Sequence, residues 1–297
     1  MKANSDILVI CTYRRMEDLL KCLDSVYAAE FIPNRVMVVD GDQGKGVSAV
    51  LHERFPKVEY LQCDTGLTLQ RNYALDCIQN EDLVYFIDDD TILGKNYFQA
   101  VRNVFLQFDV IGVGASQLPH KKLKIRTLDR VLGIVSNQEG CVTKSGLNMG
   151  RYSGEGYCNW LPGCAMTYKA QQIASLRFDV RRKGYALGED VDFSLRASLI
   201  GRLYWSSVPI ITHNQSPTNR MAKEKLIRGN IRHKWTLYRD GFSNIRFLPL
   251  AWSFLGELIF WVILLFRSRK LIYLSYFRAT CLGVFDIFQK GPLNDRG

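Results

Sequence analysis

Apolar runs and stretches with apolar residues three or four apart alternate through the first 116 residues of the chain. DILVICTY, RVMVVD, KVEYLQC, DLVYFID and VIGVGAS read as strands, while RRMEDLLKCLDSVYAA, VSAVLHERF, LTLQRNYALDCI and NYFQAVRNVFLQF read as helices. In the first helix Met16, Leu19, Leu23 and Val26 share one face. Repeated βα units predict an α/β fold, a mainly parallel sheet flanked by helices, with ligands in the crevice at the carboxyl ends of the strands. Thr12, Tyr13, Asp40 and the run Asp88, Asp89, Asp90 each follow a strand, so they are expected to converge on one rim.

The alternation lapses from Gln117 to about Gly156, where a basic HKKLKIR gives way to glycine-rich sequence that reads as an excursion or flexible loops. Order returns with WLPGCAMTYKAQQI. Further on, EDVDFSLRASLI has helical spacing at Val191, Leu195 and Leu199, which places Glu189, Asp190 and Asp192 in a first helical turn. The helix dipole favours acids there by ~0.3–1 kcal/mol each, so these three are a weak pointer by themselves.

Composition adds a few constraints. With 297 residues, 47% of them hydrophobic, the chain can bury one large core or two modest ones. Its eight cysteines form no CxxC pair and no zinc-ligand spacing, and MKANSD runs directly into a strand with no apolar segment long enough for a signal peptide. Reduced thiols and a cytoplasmic location are expected.

Charge divides the chain more sharply. Basic and acidic residues balance over 1–201, so the whole net charge of +10 lies in 202–297. That same third holds FLPLAWSFLGELIFWVILLF (247–266) and LIYLSYFRATCLGVFDIF (271–288), separated by RSRK. The first would reach ~30 Å as a helix, one bilayer core. Glu257 inside it, and Arg278 and Asp286 inside the second, are costly in a spanning pair, and spanning would carry RSRK to the far side against the positive-inside tendency. Residues 241–297 are therefore expected to lie on an anionic membrane surface at its cytoplasmic face; packing of both helices on a soluble domain is the alternative. Nucleic acid is excluded as a partner, since the aromatic residues sit within apolar runs and are not interleaved with Lys and Arg. No GxGxxG follows the first strand, and GDQGKG lacks the spacing and hydroxyl of a P-loop.

The remaining question is VYFIDDDTIL, in which a strand ends on three adjacent carboxylates. Like charges beside an apolar run require compensation from a metal ion, a basic side chain or solvent. Read in order, ILVICTYRR, VMVVDGD, GLTLQRNYAL, VYFIDDDTIL, WLPGCAM with LRFDVRR, and GEDVDFSLRASLIG resemble the family 2 glycosyltransferases, inverting enzymes with the GT-A fold that use nucleotide sugars.

The resemblance implies a catalytic domain over 1–240, its nucleotide-sugar half at about 1–116 and its acceptor half at 117–240, followed by the extension 241–297. By matching position, Asp90 is the metal ligand and Asp88 or Asp89 holds the ribose or a metal-bound water. Thr12, Tyr13 and Arg14 border the base, Asp40 accepts from its edge, and Arg71 and Asn72 brace base, ribose or the neighbouring loop. His213, on the strand-like PIITH, is a candidate to complete the metal site. Asp190 is the expected base with Glu189 behind it, and Trp160 to Gly163 shape the acceptor pocket. The implied cofactor is Mn²⁺ or Mg²⁺; the implied partners are a donor, a UDP-sugar before GDP or dTDP, and a glycan or lipid-linked acceptor. Arg14 stands where the family commonly has Asn, and Gln70 and Ala74 where it has Ala and Gly, which blurs the identity of the base. A catalytically silent nucleotide-sugar or glycan-binding relative is the alternative function.

Overall fold

The computed structural model describes residues 5–42, 44, 46–118, 126–150, 154–214 and 221–289; most of the HKKLKIR run lies outside them. In chain order the elements are β1 (Asp6–Thr12), α1 (Met16–Tyr27), β2 (Arg35–Asp40), α2 (Gly46–Arg54), β3 (Val58–Gln62), α3 (Leu67–Asp76), β4 (Leu83–Asp88), β5 (Thr91–Leu93) and α4 (Tyr97–Gln107). They continue with β6 (Gly112–Leu118), α5 (Thr127–Val131), β7 (Cys141–Val142), β8 (Asn148–Met149), β9 (Gly156–Cys158), β10 (Ala165–Lys169), α6 (Glu189–Ala197) and β11 (Leu203–His213). Three helices follow, α7 (Lys223–Arg239), α8 (Phe247–Ser268) and α9 (Ile272–Gln289).

Two compact units emerge, one of residues 1–121 with 153–219 and one of 122–152 with 220–297. The first holds a nine-stranded sheet ordered β3-β2-β1-β4-β10-β6-β11-β5, with β9 also on β11. Its central strands β1, β2 and β4 are buried on both faces, which is why they read as nearly continuous apolar runs. Side chains alternate between two cores. Leu8 and Ile10 face α1 and α4 through Leu19, Leu23, Phe98 and Val101, whereas Ile7 and Val9 face α3 and α6 through Ala74, Leu75 and Phe193. Leu199, expected on the buried face of α6, lies beyond the helix end and is exposed.

The helix-flanked α/β reading holds, but the sheet is parallel in one half and mixed in the other. β3, β2, β1 and β4 run parallel as successive βα units produce. β10 runs antiparallel between β4 and β6, and β5 and β9 run antiparallel to β11. A chain that reaches β10 through the long excursion need not make a crossover helix, so it is free to enter the sheet from the opposite end. Parallel register then sets the rim: Thr12 pairs with Asp40, and Cys11 with Asp88.

The second unit is mainly helical, with Ile227, Ile231, Leu250, Phe254, Ala279 and Ile287 as its core. Part of the excursion belongs here and not with the sheet, so the units divide the chain otherwise than at 240/241. Contacts within the unit explain this: the Asn244 side chain donates to Val142 O (3.0 Å), Trp252 Nε1 to Val131 O (2.8 Å) and Arg246 N to Lys144 O (2.9 Å). Gly256 lets α8 approach the end of α5, since a Cβ there would stand 1.8 Å from Leu132 O. By length and composition α8, with a mean hydropathy of 2.0, could cross a membrane.

Candidate active site

The three adjacent carboxylates share three basic partners, Arg71, Arg15 and His213. Asp88 accepts from Arg71 (3.1 Å). Asp89 accepts from Thr12 Oγ1 (2.8 Å) and Arg15 (3.1 Å). Asp90 lies 2.9 Å from His213 Nε2 and 3.6 Å from Arg15. Basic side chains therefore supply the compensation that the sequence demanded.

His213 arrives by strand pairing. β5, the short TIL after the carboxylates, pairs with the end of β11 in the register Thr91 to His213, which brings the imidazole beside Asp90 across more than a hundred residues. Asn214 N also donates to Asp90 O (3.0 Å). One oxygen each from Asp88 and Asp90 and one nitrogen of His213 lie within 4.8 Å of one another. Two carboxylates and an imidazole suit a divalent ion such as Mn²⁺ or Mg²⁺ that takes its other ligands from phosphate or water. Asp89 turns away from this group to the end of β1.

Electrostatics favour a cation here. Burial pushes the Asp88 and Asp89 carboxyls up, Asp89 to about 7 even with Arg15 and Thr12 opposing the shift. Burial works against the charged imidazole of His213, but Asp90, Cys164 and Asp88 outweigh it and hold its pKa at about 11. A divalent ion would take the place of that imidazolium charge.

Asp40, buried at the end of β2, accepts from the Asp42 backbone (2.8 Å) and from the Tyr60 hydroxyl (2.9 Å). Tyr13, half-buried, follows the end of β1, and the Arg14 guanidinium lies 5.0 Å from the centre of the Tyr13 ring and 3.2 Å from Asp42. Arg14 adopts φ 56°, an unusual conformation for a residue with a side chain.

Arg71 is 2% exposed and joins three elements. It donates to Glu189 Oε1 (2.6 Å), Asp88 Oδ1 (3.1 Å) and Gly163 O (2.9 Å), with its guanidinium 5.3 Å from the centre of the Phe178 ring. Asn72 exchanges two hydrogen bonds with the Phe178 backbone (2.9 and 2.7 Å), so of the roles open to it the described contacts are those of a loop brace. Burial pushes the Glu189 carboxyl up to about 8 against the pull of Arg71.

Asp190 is half-buried and accepts from the Gly163 N–H (2.9 Å). Gly163 has no room for a side chain: an added Cβ would lie 2.9 Å from Glu189 Oε1 and 3.1 Å from Asp190 Cβ. Trp160, expected to line an acceptor pocket, is 7% exposed and packs edge-on to Trp205, which leaves only the margin of its ring to a ligand. Sequence reasoning missed Gln70. Its amide, buried, donates to Thr12 O and Val39 O (both 2.8 Å) and ties the ends of β1 and β2 together. Its signal was a departure from the resembled pattern, a polar side chain where a small one is common.

A mixed sheet whose strand ends present Thr12, Asp40 and an Asp-Asp-His group, with an acidic helix start near them, defines a glycosyltransferase of the GT-A type. The chain belongs to the family described as glycosyltransferase like family 2, whose model matches residues 7–226. Among solved structures it is similar to S. aureus TarS 1–349, with a TM-score of 0.52 and 16% identity over 86% of this chain and 72% of that one. It is also similar to the mannosyltransferase PcManGT from Pyrobaculum calidifontis in complex with GDP-Man and Mn²⁺, with a TM-score of 0.54 and 13% identity over 98% of this chain and 77% of that one. At these identities the likenesses carry the fold. No curated protein sequence matches the chain significantly.

Proposed function

We propose that this glycosyltransferase moves a sugar, with inversion, from a nucleoside-diphosphate donor to a hydroxyl of a glycan or lipid-linked acceptor in the synthesis of a polysaccharide or cell-surface glycan. A UDP-sugar is favoured over GDP and dTDP donors. The observation that carries the reading is the rim itself, where Thr12 and Asp40 stand in register and Asp88, Asp90 and His213 converge. Thr12, Tyr13, Arg14 and Asp40 border the base, and Arg71 holds Asp88 toward the donor and Glu189 toward the acceptor helix.

A divalent ion on Asp88, Asp90 and His213 would neutralise charge gathering on the departing diphosphate. A similar structure holds GDP-Man and Mn²⁺, which supports a divalent ion beside a nucleotide-sugar donor. The residues of this chain do the rest. Asp190, fixed by the Gly163 N–H, retains lone pairs to take the acceptor proton. As that proton leaves, the acceptor oxygen bonds to C1 and the bond from C1 to the β-phosphate oxygen breaks, its electron pair leaving with the nucleoside diphosphate. One displacement inverts C1. Glu189, bound to Arg71, positions the loop and stands behind Asp190 as the second candidate base.

The catalytic unit would work at the cytoplasmic face of a membrane, held there by the apolar, basic C-terminal third. Incubating purified protein with a panel of nucleotide sugars, with and without Mn²⁺, tests the activity through thermal shift and release of nucleoside diphosphate. Binding of a nucleotide sugar without hydrolysis or transfer, across a panel of glycan and lipid-linked acceptors, would establish the silent relative instead.

A further inference from the structure

Two acidic residues made the apolar stretches of the C-terminal third awkward as membrane segments, and both turn inward. Asp286 of α9 accepts from Arg228 of α7 (2.6 Å). Glu257 of α8 and the buried Lys234 of α7 are each other's opposing charge. Further contacts hold the three helices together: Ser275 donates to Glu224 (3.1 Å), and Trp261 Nε1 to Thr280 Oγ1 (3.0 Å). The inward faces of α8 and α9 thus carry their acids and glycines, Gly283 against Ile231 and Arg228 of α7 and Gly256 against Leu132 at the end of α5.

The opposite faces are of one kind. On α8, Leu248, Trp252, Leu255, Ile259, Val262 and Phe266 recur at alternating steps of four and three, a single stripe along the helix; all but the half-buried Ile259 are exposed, Leu248 and Phe266 at 78%. On α9, Leu274, Leu282, Phe285 and Phe288 are exposed in the same way, with Arg278 among them. In the last turn of α8 and the link that follows, Arg267, Arg269 and Lys270 are exposed beside Leu271 at 79%. Outside the turn and its flanks, no acidic side chain of the described parts of α8 and α9 points outward. An apolar surface this long exceeds the scattered apolar residues of an ordinary exterior.

We infer that α8 and α9 lie side by side in the plane of an anionic bilayer, their outward stripes sunk among the acyl chains and Arg267, Arg269, Lys270 and Arg278 at the headgroups. This inference rests on the membrane reading above and specifies its surface. Spanning is disfavoured because α7, with its charged residues, covers the inner side of both helices and would have to enter the bilayer with them. Charge complementarity selects the anionic lipid: apolar stripe and basic turn together satisfy both requirements of interfacial binding.

The experiment is flotation of the full chain with vesicles of equimolar phosphatidylglycerol and phosphatidylcholine, and with phosphatidylcholine alone. Wild type floats with the anionic vesicles and weakly with the neutral ones. R269Q/K270Q binds the anionic vesicles about 25-fold more weakly, from about fivefold per basic residue near the surface, and the neutral ones as before. L255D/V262D loses both, although circular dichroism and nucleotide-sugar turnover without vesicles stay at wild-type values. Brominated lipid quenches wild-type fluorescence, and quenches it less in W252F, because Trp252 at the start of α8 is as deep as the turn. Wild type that stays soluble with both vesicles overturns the membrane reading and this inference together. If wild type floats and L255D/V262D floats equally well, the membrane reading survives and the stripe is refuted. A concentration-dependent dimer dispersed by L255D/V262D would assign the stripe to a second copy, and resistance of the bound protein to alkaline carbonate would show spanning; either overturns the inference.

Discussion

Replacing Arg71 by Met keeps most of the side chain's bulk between Phe86 and Phe178 and removes the charge shared by Asp88 and Glu189. Glu189 is buried and Arg71 more so, and stripping one partner from a buried pair typically costs about 3–5 kcal/mol. The sign with pH follows from Glu189. Its folded pKa, about 8, stands above its ordinary 4.5, so folding takes up a proton between these values and its share of stability falls as pH rises through that window. Without Arg71 the folded carboxyl is driven higher still. Both folded proteins hold this proton at pH 5 to 7, so the difference between wild type and R71M should stay nearly level there and widen only as pH rises through about 8, by at most about 1.4 kcal/mol per pH unit for one proton. R71M/E189Q removes the group that needs the guanidinium, so it should recover about 1–3 kcal/mol relative to R71M and flatten Glu189's part of the slope. Urea denaturation of the metal-free protein at pH 6, 8 and 9.5 measures all three. Equal destabilisation of R71M and R71M/E189Q at every pH would show that Arg71 acts through packing on the aromatic rings, and the electrostatic argument would fail.

Asp90→Asn removes a charge from the Asp-Asp-His group without removing bulk, so transfer should fall by orders of magnitude and the thermal shift on adding Mn²⁺ should vanish while the fold persists; undiminished turnover, or wild-type turnover in EDTA, would rule out a metal-dependent site. Asp190→Asn should lower transfer by ~10²–10⁴-fold and leave nucleoside diphosphate affinity near wild type by calorimetry, whereas joint collapse would move Asp190 to the donor side. Gly163→Ala forces a methyl to 2.9 Å from Glu189 Oε1, so it should cost about 1–3 kcal/mol in denaturation and reduce transfer more than donor binding. An unchanged midpoint would mean that the loop yields freely.

Much of the catalytic unit was legible because its information is local. Buried parallel strands and one-faced helices write themselves as period and composition, and residues that follow strands meet at a rim whatever lies between them. Pairings across long separations are not written this way. The three residues of β5 are too short to register as a strand, and only β11 gives them a partner; without that pairing His213 was a lone histidine on an apolar run. Gln70 resembled a polar helix residue until two strand ends supplied its acceptors. Glu257 and Asp286 looked like errors in membrane helices because their bases sit on α7, whose pattern is too polar to announce a packing face.

The run Asp88, Asp89, Asp90 shows where the pattern along the chain stops informing. β4 ends at Asp88, and Asp89 with Asp90 makes the turn into β5, so strand alternation does not say which carboxylates converge; their tertiary partners do. Asp88 and Asp90 come together with His213, while Asp89 accepts from Thr12 and from Arg15, whose Nη1 also lies 3.6 Å from Asp90. The middle acid is thereby left to fix the end of β1, from which Thr12 and Tyr13 project. The repulsion is borne by shared cations: Arg71 meets Asp88, His213 lies 2.9 Å from Asp90 and 4.0 Å from Asp88, and Arg15 bridges Asp89 and Asp90.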